Sequence, residues 1–108
     1  MQTLIHVYCT KGKSLREAIG NDTRIEKHQL CVLEQQRSGR VPGWLKLRST
    51  AQDRAGAINV QWDAGSMVLK CRVINKGSGK PNLIVGDFLE YLFSRYRPRV
   101  RAITILPG

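Results

Sequence analysis

Cationic and amide side chains alternate with apolar side chains along three stretches of the sequence, 44–49, 57–62 and 67–74. A period of two indicates β-strands, whose successive side chains project to opposite faces of a sheet. If the apolar side chains pack in the core, the polar ones must share the other face. That polar set is Trp44, Lys46, Arg48, Asn59, Gln61, Lys70 and Arg72.

A face of this composition suits nucleic acid. Ammonium and guanidinium groups neutralise phosphates, amides hydrogen-bond to base edges, and an indole ring stacks on a base. The seven residues are therefore predicted to form a nucleic-acid-binding surface. A second interpretation stays open, because antiparallel sheets commonly leave one face in water, where Lys and Arg are normal.

Four arginines form a second basic cluster between the last predicted helix and the last predicted strand: Arg95, Arg97, Arg99 and Arg101. Cations at the C-terminal end of a helix offset its macrodipole, by ~0.3–1 kcal/mol each when exposed. That role accounts for Arg95 and Arg97 but does not reach Arg99 and Arg101. The cluster is predicted either to hold phosphate or to serve solubility.

A third basic element is the stretch 76–80, which leads into a predicted helix. Backbone N–H groups at a helix N-terminus favour an anion. The candidate anion-binding residues are Lys76, Gly77, Gly79 and Lys80. The stretch is not a nucleotide P-loop, because Ile74 stands at the position of its first glycine and Pro81 at that of its Ser or Thr. The alternative is a flexible connector.

Residues with catalytic or metal-binding chemistry are few and separated. The chain has two histidines, His6 and His28, and no HExxH, GxSxG, GxGxxG or CxxC motif. We therefore expect a non-enzymatic module without a cofactor, and we assign no metal ligands. An enzyme would need distant groups, such as His6, Asp53, Asp63 or a cysteine, to converge in one cleft.

The three cysteines, Cys9, Cys31 and Cys71, are widely spaced within apolar runs. An odd number without paired spacing favours reduced thiols. The first apolar stretch is too short for a secretion signal, and no apolar run approaches the ~20 residues that cross a bilayer. We therefore expect a cytoplasmic protein that does not associate with a membrane.

The charge indicates a polyanionic partner. The 108 residues include 18 Lys and Arg against 8 Asp and Glu, a net charge of +10; thirteen basic and four acidic residues follow Gln36, a net of +9. Such charge repels itself within the single domain, 1–108, that this length predicts. We expect a small nucleic-acid-binding module. The alternative is a protein-interaction or oligomer-forming subunit that docks an acidic partner, and the sequence leaves DNA, RNA and protein open.

The elements that must position these groups indicate an α+β fold. We expect a mostly antiparallel sheet of four to six strands, including 3–10 and 99–106, with a long amphipathic helix at about 83–96 packed on one face and a short helix near 15–20. Strand 99–106 could lie at an exposed edge, where another chain adds a strand. The long helix carries an apolar stripe formed by Val85, Phe88, Leu89, Leu92, Phe93 and Tyr96.

Residues 23–36 allow two predictions. Thr23 and Glu26 form a capping-box pattern that favours a helix, whereas the apolar run 30–33 suits a buried strand. A strand from about 29 to 36 is favoured.

Overall fold

A computed structural model describes residues 2–36, 43–51, 56–75 and 81–107 of the chain. In these ranges it forms a six-stranded antiparallel sheet, two α-helices of which the second is longer, and two 3-10 turns. The α+β class with an antiparallel sheet is thus confirmed. The elements in chain order are β1 Gln2–Cys9, α1 Leu15–Gly20, a 3-10 turn Ile25–His28, β2 Leu30–Gln36, β3 Trp44–Ser49, β4 Gly56–Asp63, β5 Val68–Asn75, α2 Pro81–Arg95, a second 3-10 turn Arg97–Arg99 and β6 Val100–Leu106.

The first strand lies inside the sheet. The strand order is β2-β3-β4-β5-β1-β6, and β1 pairs with β5 on one side and with β6 on the other, antiparallel to both. Strands β2 and β6 are therefore the two edges. Ile5 and Val7 are fully buried on one face of β1, whereas Tyr8 on the opposite face is 37% exposed.

Residues 23–36 form a short turn and then a strand. The 3-10 turn Ile25–His28 ends at Gln29, whose φ of 65° is in the left-handed region, and β2 begins at Leu30. The left-handed residue stops the turn. The capping pattern at Thr23 is therefore followed by a single 3-10 turn and not by a longer helix. Leu30 is buried, and the later residues of β2 become exposed because the strand lies at an edge.

The predicted starts of β5 and β6 are each one residue too early. Met67 was expected to begin a strand and face the core, but it has a φ of 56° and closes the turn before β5. The carboxylate of Asp63 holds this turn by accepting from the amides of Gly65 (3.1 Å) and Ser66 (3.3 Å). Arg99 was expected to begin the last strand, but it ends the 3-10 turn that contains Pro98.

The sheet has an inner face, which carries Leu45, Val60 and Cys71, and an outer face, which carries Lys46, Asn59 and Arg72. The inner side chains are buried and belong to one core cluster that also includes residues of α1 and α2. The predicted inward residues Leu45, Leu47, Ile58, Val60, Leu69 and Cys71 are all buried.

The buried stripe of α2 is rotated from the predicted one. Its fully buried residues are Ile84, Phe88, Tyr91 and Leu92, whereas Phe93 is 39% exposed. Tyr91 can be buried because its hydroxyl donates a hydrogen bond to the Asp22 carboxylate at 2.7 Å. The predicted stripe included Tyr96 but omitted both Ile84 and Tyr91, which are fully buried.

None of the helices in the described ranges is both long enough and apolar enough to span a membrane.

Candidate functional site

The register of the sheet places polar side chains in adjacent rows across the outer face. In one row Lys46, Asn59 and Arg72 are successive partners on β3, β4 and β5. In the next row Gln61 on β4 and Lys70 on β5 are partners, and Lys70 pairs onward with His6 on β1. Antiparallel pairing thus brings together residues that lie up to 64 positions apart in the chain.

These rows line an open groove of about 480 Å³. Six of the seven predicted outer-face residues line it: Trp44, Lys46, Asn59, Gln61, Lys70 and Arg72. Arg48 lies further along β3, is exposed, and donates from Nη1 to the carbonyl of Ser49 at 3.3 Å. The groove therefore combines three cations, two amides and one indole.

The cations of the groove lie on two strands with the amides between them. Lys46 is on β3, and Lys70 and Arg72 are on β5; these strands are separated by β4, so they lie about 10 Å apart. Asn59 and Gln61 occupy β4. A backbone of phosphates and a row of bases could both find complementary groups in this arrangement.

The cations differ in how far the protein itself neutralises them. Within the described residues, Lys46 and Arg72 form no ion pair. Lys70 Nζ lies 3.5 Å from Asp63 Oδ2, and both side chains are well exposed to water. Hydrogen bonds from Ser66 and then from Lys70 lower the pKa of Asp63. An exposed pair of this kind contributes little and exchanges readily with another anion.

Trp44 lies at the β2 side of the groove. Its indole N–H donates to Gln36 Oε1 at 3.0 Å, and the two residues are register partners on β3 and β2. The side chain is half-buried. Because the N–H group is already bonded, a contact between Trp44 and a ligand has to come from the ring surface.

Of the other residues that line the groove, Leu45, Val60 and Cys71 were predicted to face inward and are buried, whereas Leu4, His6 and Glu34 were not identified from the sequence. These last three belong to β1 and β2, whose positions beside β5 and β3 depend on the strand order. The alternation of Leu4, His6 and Tyr8 indicates their shared face but not the neighbouring strand. Glu34 is the register partner of Lys46 and brings a negative charge to the groove.

The four predicted C-terminal arginines do not line this groove. Arg95 donates from Nε to Asp22 Oδ2 at 3.2 Å and from Nη2 to Asp22 Oδ1 at 3.4 Å. The Arg97 guanidinium lies 5.1 Å from the centre of the Phe93 ring. Arg101 is exposed and has no register partner on β1, because the pairing of β6 with β1 shifts at this point.

Arg99 has a role that the sequence did not indicate. It donates to Thr10 Oγ1 (3.1 Å), to the Thr10 carbonyl (3.1 Å) and to the Lys13 carbonyl (3.0 Å). A Cβ atom at Gly12 would lie 2.9 Å from the Arg99 guanidinium carbon, so glycine permits this close approach. Arg99 therefore stabilises the turn between β1 and α1.

Asp22 joins α2 to the segment that follows α1. Its carboxylate accepts from Tyr91 (2.7 Å), from the Tyr96 hydroxyl (3.2 Å) and from Arg95. Burial alone would raise the pKa of Asp22, but the hydrogen bonds from Tyr91, from the Arg24 amide and from Arg95 lower it to about 2. This cluster holds the fold together and leaves Arg95 with an internal partner.

Of the groups named for catalysis, His6 and Cys71 both line the groove, but the Cys71 side chain is buried. Asp63 belongs to the turn before β5 and pairs with Lys70. Burial raises the pKa of both Cys9 and Cys71, which keeps these thiols protonated. In the same ranges no three His, Cys, Asp or Glu side chains are placed to hold a metal ion.

Two predicted features lie outside the described residues. These are the candidate anion-binding loop, with Lys76, Gly77, Gly79 and Lys80, and the carboxylate of Asp53.

Comparison of the chain with protein-family models, with curated proteins and with solved structures gives no match. Function is therefore argued from the geometry and the charge of the site.

Proposed function

We propose that this protein is a small, non-enzymatic nucleic-acid-binding module that holds a single strand in the groove of its outer face. The observation that carries the proposal is the convergence of Lys46, Lys70 and Arg72 with two amides and an indole in one groove of about 480 Å³. The net charge of +10 supplies a long-range attraction for the same ligand.

The proposal requires that α2 cover the inner face and leave the outer face open. The burial of Ile84, Phe88 and Leu92 in the same core cluster as Leu45 and Val60 supports this arrangement. On the outer face Lys46 and Asn59 stay half-exposed, and Gln61 and Lys70 are exposed.

The geometry favours a single strand over a duplex. Asn59 and Gln61 lie on the middle strand of the groove, between the cations of β3 and β5. Their short amides can reach base edges only where the bases are splayed out, as in a single strand. In a duplex the edges are recessed in grooves that an open sheet surface does not enter.

Binding is tested with a labelled oligonucleotide of about 12 nucleotides, near the upper end of the site sizes of small single-strand binders. At ~50 mM salt we expect fluorescence anisotropy to show a dissociation constant in the micromolar range or tighter, weakening steeply as salt increases. Absence of binding at micromolar protein would overturn the proposal.

A charge-matched pair of variants locates the site. The double variant Lys46→Ala/Arg72→Ala should weaken binding and reduce the slope of log K against log salt by about 1.4, since each phosphate contact to a single strand contributes ~0.7. The control is Arg24→Ala/Lys27→Ala, which removes two exposed cations at the 3-10 turn that contacts α2. Equal effects of the two double variants would mean that net charge alone drives binding, and the outer-face site would be rejected.

A further inference from the structure

The two edges of the sheet are built differently. The pairing of β2 with β3 shifts register between Val32 and Glu34, and β2 ends in charged and amide residues. Strand β6 pairs with β1 in regular register from Ala102 to Leu106, and this stretch carries no charge. Irregular register and charge are the usual protection of an edge against pairing. The β6 edge lacks both over these five residues.

The backbone of β6 presents unpaired groups at this edge. The Cys9 amide donates to the Met67 carbonyl on the β5 side of β1 at 2.9 Å. Because successive residues of a strand direct their backbone groups to opposite sides, the even-numbered residues of β1 face β6. The residues that pair with them are Ala102, Thr104 and Leu106. Ile103 and Ile105 therefore direct their N–H and C=O groups outward, where no strand in the described part of the chain lies.

We propose that β6 pairs antiparallel with β6 of a second copy of this chain, around a two-fold axis at Thr104. This register places Ile103 opposite Ile105 of the partner subunit, and the two-fold axis repeats the same pair on its other side. Each of the two pairs exchanges two backbone hydrogen bonds. It places Thr104 opposite the partner's Thr104, a favourable cross-strand pair. It also covers Ile105 and Leu106, which are 41% and 57% exposed in the single chain.

The charge distribution selects a second copy over an acidic partner. Residues 102–107 carry no charge, so an acidic peptide would find no cation along this stretch. A protein of net charge +10 can approach its own copy only where the contact surface is uncharged. In the proposed register the two copies of Arg101 lie on opposite sides of the axis, about 20 Å apart at ~3.4 Å per residue.

A two-fold axis perpendicular to the sheet keeps both outer faces on the same side. If the proposed function holds, two grooves then face one nucleic-acid strand, and a strand that spans both binds more tightly than one that fills a single groove. The pairing itself does not depend on nucleic acid.

The experiment is sedimentation velocity of the full chain without nucleic acid. Two short strands form a small interface, below ~1,200 Å², so we expect a dimer with a dissociation constant of ~10–100 μM. Raising the salt from ~0.15 to ~1 M should strengthen it, because the Debye length falls from ~8 to ~3 Å and repulsion between the copies is screened. A single species of monomer mass throughout would overturn the proposal.

Two pairs of variants place the contact. Ile105→Pro removes an outward amide without touching the ladder to β1, and should weaken association at least tenfold, whereas Ile105→Val should dimerise like the wild type. Thr104→Lys puts like charges face to face at the axis and should also give monomers, whereas Thr104→Val should not. Unfolding curves check each variant. If Ile105→Pro is destabilised, Thr104→Lys decides, and dimerisation of Thr104→Lys at wild-type strength overturns the proposal.

Discussion

The guanidinium groups of Arg95 and Arg99 are bound by acceptors of the protein itself, whereas Lys46 and Arg72 form no ion pair within the described residues. Both regions look alike as sequence, since each is rich in Lys or Arg. An arginine whose donors already have internal acceptors stabilises the fold and has few donors left for a ligand. The outer face and the junction of α2 with β6 should therefore respond differently to the loss of charge.

The largest effect should come from the internal partner of Arg95. Asp22→Asn removes a charge that is 2% exposed and accepts from Tyr91, Tyr96 and Arg95. We expect the free energy of unfolding, measured with urea, to fall by roughly 2–4 kcal/mol. The control Asp63→Asn changes an exposed carboxylate that pairs with Lys70 and accepts two amides of its own turn, so it should cost much less. Equal losses of unfolding free energy in the two variants would show that the contacts of Asp22 with α2 stabilise the fold no more than an exposed ion pair does.

The stabilisation that the Asp22 carboxylate provides should depend on pH. The folded state holds the pKa of Asp22 at about 2, below the ordinary value of an aspartate side chain. A lowered pKa stabilises the folded state above the unfolded-state value, and the contribution disappears as pH falls through the folded value. The difference in unfolding free energy between wild type and Asp22→Asn should thus be constant from pH 7 to about 5 and should narrow between about pH 4 and 2. A constant difference down to pH 2 would contradict the internal role of Asp22.

The direction of the groove side chains could be predicted from the sequence, but the order of the strands that carry them could not. Alternation is local, so the outward direction of Lys46, Asn59 and Arg72 follows from their own strands. The order of strands is not local. Sequence periodicity does not indicate that β1 lies between β5 and β6. His6 and Glu34 were therefore not predicted to line the groove.

The internal contacts of Arg95 and Arg99 could not be predicted from the sequence for a related reason. The acceptors of Arg99 lie 86 and 89 residues earlier in the chain, and Asp22 lies 73 residues before Arg95. A dipole argument considers only the helix on which the residue lies. Whether an arginine is bound internally is decided by which loop the fold brings to it, and a single sequence does not record that.

A smaller effect separates two arginines of equal charge. Arg99→Ala removes three hydrogen bonds to Thr10 and Lys13 and should lower the free energy of unfolding by roughly 1–2 kcal/mol. Arg101→Ala removes the same charge from an exposed position and should stay within about 0.5 kcal/mol. Thermal unfolding measures both. Arg99→Lys should not rescue the first variant, because one ammonium cannot reproduce the geometry of the planar guanidinium. Full rescue by lysine would reduce the role of Arg99 to charge alone.

The smallest effect tests the groove from its acidic side. Glu34 is the register partner of Lys46 and lines the groove, so its charge opposes a phosphate bound there. Glu34→Gln should strengthen oligonucleotide binding by about threefold, the size expected for one charge at a solvent-exposed site. The matched variant Glu26→Gln makes the same change of net charge at the 3-10 turn and should have a smaller effect. Since both carboxylates are exposed, stability should change little in either case. If anisotropy gives the same affinity for the two variants, binding depends only on the total charge of the protein. The outer face would then not differ from the remaining surface in binding, even where the two differ in stability.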